Sequence, residues 1–110
     1  MTFAIGSSDT ALTSTAVPIV TVPQGASYII LAATAVNTDT AAHQVSVWRV
    51  QSGGATSNPG ALVVDQQSIA PGETAQLPIV GQTMVNADSF LAAVDTAGVV
   101  NLNLSWVQVL

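Results

Sequence analysis

Cysteine is absent from the 110 residues, which excludes disulfides and thiolate metal sites and leaves packing to hold the fold. Lysine is absent too. Arg49 is the single basic residue against six carboxylates (Asp9, Asp39, Asp65, Glu73, Asp88, Asp95), a formal charge of -5. Such a charge balance argues against a sequence-independent grip on a phosphate backbone, so nucleic acid is not an expected partner. Charged residues make up 6% of the chain, far below the roughly 25% of ordinary soluble domains. A surface so poor in ionic groups is expected to be covered largely by other subunits. No stretch approaches the roughly eighteen apolar residues of a membrane helix, and Met1 to Asp9 lack the cationic start and apolar run of a secretory signal. The chain reads as an unprocessed cytosolic product with no membrane partner. No 3.6-residue period is long enough to support a helix.

What is present is a series of short strand-like runs separated by turn residues. In Ala70-Pro71-Gly72-Glu73, Pro71 presets φ at the second position and Gly72 accepts the positive φ of the third, so the segment predicts a type II turn. Residues 1–10 show no period and read as a flexible N-terminal arm, leaving 11–110 as a single β domain. Ala11 to Val22 predicts a first strand, which Pro18 confines to a sheet edge or a bulge. A turn follows near Pro23-Gln24-Gly25-Ala26. Tyr28 to Val36 is apolar on both faces, Tyr28, Ile30, Ala32 and Val36 on one and Ile29, Leu31, Ala33 and Ala35 on the other, so both sides are expected to be covered. His43 to Gln51 predicts the next strand, with Val45 and Val47 opposite Trp48 and Val50.

Ser52 to Gly60 is the longest loop, rich in residues that tolerate unusual dihedrals. Further strands are expected over Ala61 to Ser68, Thr74 to Val80 and Ser89 to Asp95, with Gly81 to Asp88 a connection over a buried Met84 and Val85. Val99 to Leu110 alternates most clearly: Val100, Leu102, Leu104 and Trp106 face the core and Asn101, Asn103 and Ser105 face away. Val107 and Val109 break that polar side, which marks the C-terminal tip as a contact. Seven or eight strands at this spacing predict an all-β fold, an antiparallel β-sandwich or jelly-roll-like barrel.

The residues of chemistry are few. The carboxylates are scattered over different strands and turns, with no pair positioned for acid-base work, and nucleophile elbow, phosphate loop and metal-spaced histidine pair are all missing. No catalytic residue, cofactor or metal is assigned, and the protein is expected not to be an enzyme. His43 reads as a surface or strand-edge residue. Neither Asn37, Thr38 and Asp39 nor Asn86 and Asp88 approach a calcium cage. Pro71, Gly72 and Asp88 read as turn-structural. The candidate interface residues are Trp48, Arg49, Tyr28, Ile29, Leu31, Val107 and Val109; Trp48 reads equally as a core residue, and alternatively offers a stacking surface for a host glycan. Arg49 must reach solvent or meet a carboxylate, since an unpaired buried cation is costly.

Several patches in this order resemble small virion structural proteins of tailed bacteriophages. They are Val22-Pro23, Asn37, Val45-Ser46-Val47-Trp48-Arg49-Val50 with a Gly-rich loop behind it, Ile69-Ala70-Pro71-Gly72-Glu73-Thr74, Asp88 before Ser89-Phe90-Leu91-Ala92, and the alternating end Val100 to Val109. Where those relatives carry Gly-Asp, this chain has Ala87-Asp88. The resemblance implies a β-sandwich on the virion, made in the host cytoplasm. It would serve as a capsid decoration (cement) protein or as a tail, neck or fibre-base component. The partners so implied are further copies of the chain, as a trimer or higher ring, and other virion proteins such as the major capsid protein.

Overall fold

The computed structural model describes residues 3–57 and 61–109. Among the described residues the chain forms nine strands and no helix: β1 (Phe3–Ala11), β2 (Val17–Thr21), β3 (Ser27–Asn37), β4 (His43–Val50), β5 (Leu62–Ile69), β6 (Thr74–Gln76), β7 (Thr83–Val85), β8 (Ser89–Val94) and β9 (Val100–Val109). Sheet I has the order β1-β9-β3, with β6 and β7 both paired to the far side of β3; sheet II has the order β2-β8-β4-β5. All pairs are antiparallel.

The topology follows from one long hairpin. β4 pairs with β5, β3 with β6 and β7, β2 with β8 and β1 with β9, nesting every strand with its mirror about the β4–β5 loop. Rolling that ribbon adds β3–β9 and β4–β8 and gives two packed sheets, a jelly roll. β6 and β7 share a single lane because Pro78, which has no N–H to donate, breaks the ladder between them. Leu77 N and Gly81 N nonetheless still donate to Ala33 O and Ile30 O on β3.

The core lies between the sheets and is built from aliphatics. Leu12, Ile30, Val45, Val47, Ile69, Leu77, Ile79, Met84, Phe90, Val100 and Leu102 are all fully or almost fully buried. At Ala70 to Glu73 the turn closes with Glu73 N donating to Ala70 O at 3.1 Å and Gly72 at φ 70°. Pro18 sits on the edge strand β2, beside a register shift between Pro18 and Val20, which is where a missing N–H is harmless.

Several expectations change. Residues 3–10 of the supposed arm, together with Ala11, are β1, in unbroken register with β9 from Phe3↔Val109 to Ala11↔Asn101, because β9 would otherwise present an unpaired ladder edge; Met1 and Thr2 lie outside the described residues. Ala11 to Val22 accordingly spans the last residue of β1, a connection in which Leu12 is buried, and the whole of β2. Asn58, Pro59 and Gly60 of the expected long loop also lie outside the described residues. In β3 a bulge shifts the register between Ile30 and Ala32 and reverses the parity of the strand. Tyr28, Ile30, Ala33 and Ala35 therefore face the core, while Leu31 and Ala32 are both exposed. Val85, expected under a connection, is 47% exposed, and only its neighbour Met84 is buried.

Candidate functional site

Alternation along β9 sends Leu102 and Leu104 inward and Val107 and Val109 to the outer face of sheet I. The register carries that apolar end across the sheet. Ile5 on β1, Val107 on β9 and Ile29 on β3 are cross-strand partners, and in the next row Val109 lies beside Ser27, which pairs with Val85 on β7. Leu31 projects from the bulge beside them. Ile5 is 79% exposed and Leu31 and Val85 47% each, so the belt is uncovered by any part of the described chain. The other end of the same face is polar: Asp9, Asn103, Thr34 and Gln76 form a row across β1, β9, β3 and β6, beside a shallow depression of about 460 Å³ lined by Asp9, Asn101 and Asn103.

The outer face of sheet II carries a second apolar row, Pro18, Leu91, Trp48 and Leu62, one residue from each of its four strands. Trp48 is half-buried and Leu62 is 42% exposed. Beside the indole lies a depression of about 170 Å³, where Gln44, Ser46, Gln66 and Asp95 provide polar groups.

The sequence-assigned interface residues thus divide. Ile29, Leu31, Val107 and Val109 come together on sheet I, and Trp48 lies on the opposite side of the sandwich. Tyr28 departs from its assignment: it is buried, on the core face of β3, and stacks on Trp106 with ring centroids 5.2 Å apart and planes at 13°. Arg49 engages its own chain, donating from Nη2 to Thr83 O at 2.7 Å and lying 3.9 Å from Asp88, which ties β4 of sheet II to β7 of sheet I. Asp88 is buried and accepts from Ser52 N and Val85 N, each at 3.2 Å. It holds the β7–β8 corner and the start of the β4–β5 loop together.

Sequence reading missed the polar cluster around His43. This residue is buried at the start of β4, an interior strand, and both imidazole nitrogens meet carboxylates: Nδ1 to Asp95 Oδ1 at 2.6 Å and Nε2 to Asp39 Oδ2 at 2.7 Å. A neutral imidazole has one N–H, so two carboxylate acceptors require the imidazolium. The hydrogen bond to Asp39, followed by that to Asp95, raises the His43 pKa above its ordinary 6.5 against the opposing effect of burial, and the bond to His43 chiefly lowers that of Asp39. Asp39 at four residues' distance was the available signal; Asp95, 52 residues away, had none. With both nitrogens committed, His43 serves as a clasp between loops. Neither nitrogen is free for a metal or a substrate. Asn37, buried beside it, donates from Nδ2 to Ala41 O and Ile69 O at 2.8 and 3.0 Å.

No family model and no curated protein matches the chain. Among solved structures it is similar to a Bacillus protein, described with the words "Bacillus endospore appendages form a novel family of disulfide-linked pili". The TM-score is 0.55 at 16% identity, over 97% of this chain and 84% of that one. The likeness is one of fold. The appendages are named as disulfide-linked, whereas this chain contains no thiol and so has no residue that could form such a link.

Proposed function

We propose that the protein is a non-enzymatic structural subunit of an assembled particle or appendage, and that copies associate through the apolar end of the outer face of sheet I. The observation that carries this reading is the contiguous belt of Ile5, Ile29, Leu31, Val85, Val107 and Val109 on a domain with one arginine and no lysine. Contiguous exposed apolar surface marks interaction sites, and burying each such side chain contributes about 1.5–3 kcal/mol. The similarity in fold to a pilus protein is consistent with this reading, as is the resemblance to phage virion proteins carried by the sequence patches. The finer assignment is a decoration subunit bound to a phage capsid, with tail or neck placement as its alternative, and the virion as its location. That assignment rests on the sequence resemblance.

The deciding measurement is solution mass across a concentration series. The parent chain is expected to form oligomers, and Val107→Lys and Leu31→Lys to weaken association at least tenfold with an unchanged far-UV spectrum. A species of 11.1 kDa persisting to about millimolar concentration would sink the reading.

The depression beside Trp48 favours a second reading, adhesion to a glycan through sheet II, in which the indole stacks on a sugar ring and neighbouring amides take its hydroxyls. A glycan array showing binding by the parent and none by Trp48→Ala would establish it.

A further inference from the structure

We propose that β1 is an association edge, and that its occupant is β1 of a second copy, paired antiparallel about a twofold axis at Ile5. The proposal rests on the structural-subunit reading and specifies one of its contacts.

An edge strand exposes a row of unpaired N–H and C=O groups, and native proteins block such rows with bulges, prolines, inward charges or brevity. The other edges of this sandwich are blocked in these ways. β2 carries Pro18 and a register shift; β5 is broken twice in its register with β4 and holds Gln66 at φ 49°; β6 and β7 have three residues each. β1 alone is long and open. It has nine residues, an unbroken register with β9 and no proline, and its one charge, Asp9, is near the far end.

The side chains select the pairing. In an antiparallel pair opposite residues share a face. A twofold at Ile5 sets the two most exposed large apolar side chains against each other on the outer face, places Ala4 opposite the partner's Gly6, and leaves the described segment paired around Ile5 without charge. Asp9 is then offset from the partner's Asp9 by eight residues, about 26 Å along the strands and well beyond the ~8 Å screening length at physiological salt. A shift of two residues along the partner puts Ile5 opposite the partner's Ser7. A shift of four puts Ile5 opposite the partner's Asp9. Pairing at Ile5 joins two sheets of five strands into one of ten, and the belt of Val85, Ile29, Val107 and Ile5 crosses the junction without interruption. This continuity, with the self-complementary register, identifies the occupant as a second copy.

The absence of native cysteine makes the test direct. Directly opposed positions bring Cβ atoms to about 4.5–5.5 Å, close enough for a disulfide after small adjustment. Single variants Ile5→Cys, Ser7→Cys and Asp9→Cys are oxidised with copper–phenanthroline and run on non-reducing gels, each checked by circular dichroism. Ile5→Cys is expected to give mainly covalent dimer, with at least fivefold less at the other two positions. A parent that oligomerises while Ile5→Cys fails to cross-link, or cross-links less than Ser7→Cys, overturns the pairing and leaves the structural-subunit reading standing. A parent that stays monomeric, with no cross-link at any position, removes both.

Discussion

A Cβ atom placed on Gly6 would lie 2.6 Å from Cε2 and Nε1 of Trp106. The two residues are cross-strand partners in β1 and β9, and the bare backbone of Gly6 is what lets the indole lie flat over the first strand while stacking on Tyr28 from its other neighbour. An edge strand so thinly covered with side chains is held by this contact and by its ladder.

Gly6→Ala is therefore expected to destabilise the fold by about 1–3 kcal/mol, the range of overpacking a filled site. Urea denaturation reads the loss. Near-UV circular dichroism should lose signal from the Tyr28–Trp106 stack, and an unchanged spectrum at parental stability would show that the indole has room to move.

The His43 clasp makes stability depend on pH in a stated direction. A raised folded pKa means that the contribution of His43 is complete below its unfolded value of 6.5 and is lost as pH rises through the folded pKa. The lowered pKa of Asp39 acts oppositely, its contribution being present above 3.8 and lost as acidity increases through the folded value. The urea midpoint should be highest between about pH 4 and 6.5 and decline on the alkaline side, and His43→Gln should abolish that alkaline decline. A parent midpoint flat from pH 6 to 9 contradicts the clasp.

Ala87 occupies the left-handed region at φ 63°, following Asn86 at φ 22°, in the corner between β7 and β8. A non-glycine residue there costs about 1–2 kcal/mol, of which glycine recovers the steric part and returns some as unfolded-state entropy. Ala87→Gly is expected to stabilise by about 0.5–1 kcal/mol, a rise in Tm of roughly 2–6 °C. A lower Tm would show that the Ala87 side chain contributes more than its backbone strain costs.

What could be read along the chain was whatever depends on a residue and its near neighbours. The Pro71-Gly72 turn, Pro18 at an edge and the inward face of Val100 to Leu104 are local consequences of fixed φ, a missing N–H and strand alternation. The candidate belt was partly legible for the same reason, since Val107 and Val109 break the pattern of their own strand. Ile5 and Val85 escaped notice because nothing local marks them: they join the belt only through pairing with residues far along the chain.

By itself, then, the amino-acid order determined an acidic, cysteine-free, all-β domain of short strands with apolar side chains left over. Only the tertiary structure decided that β3 changes parity at Leu31, that the first strand is held against the last, that Tyr28 is a core residue, and that His43 lies between Asp39 and Asp95. Each of these depends on which distant segments share a ladder. That choice follows from packing of the whole roll rather than from the conformational preference of any one stretch.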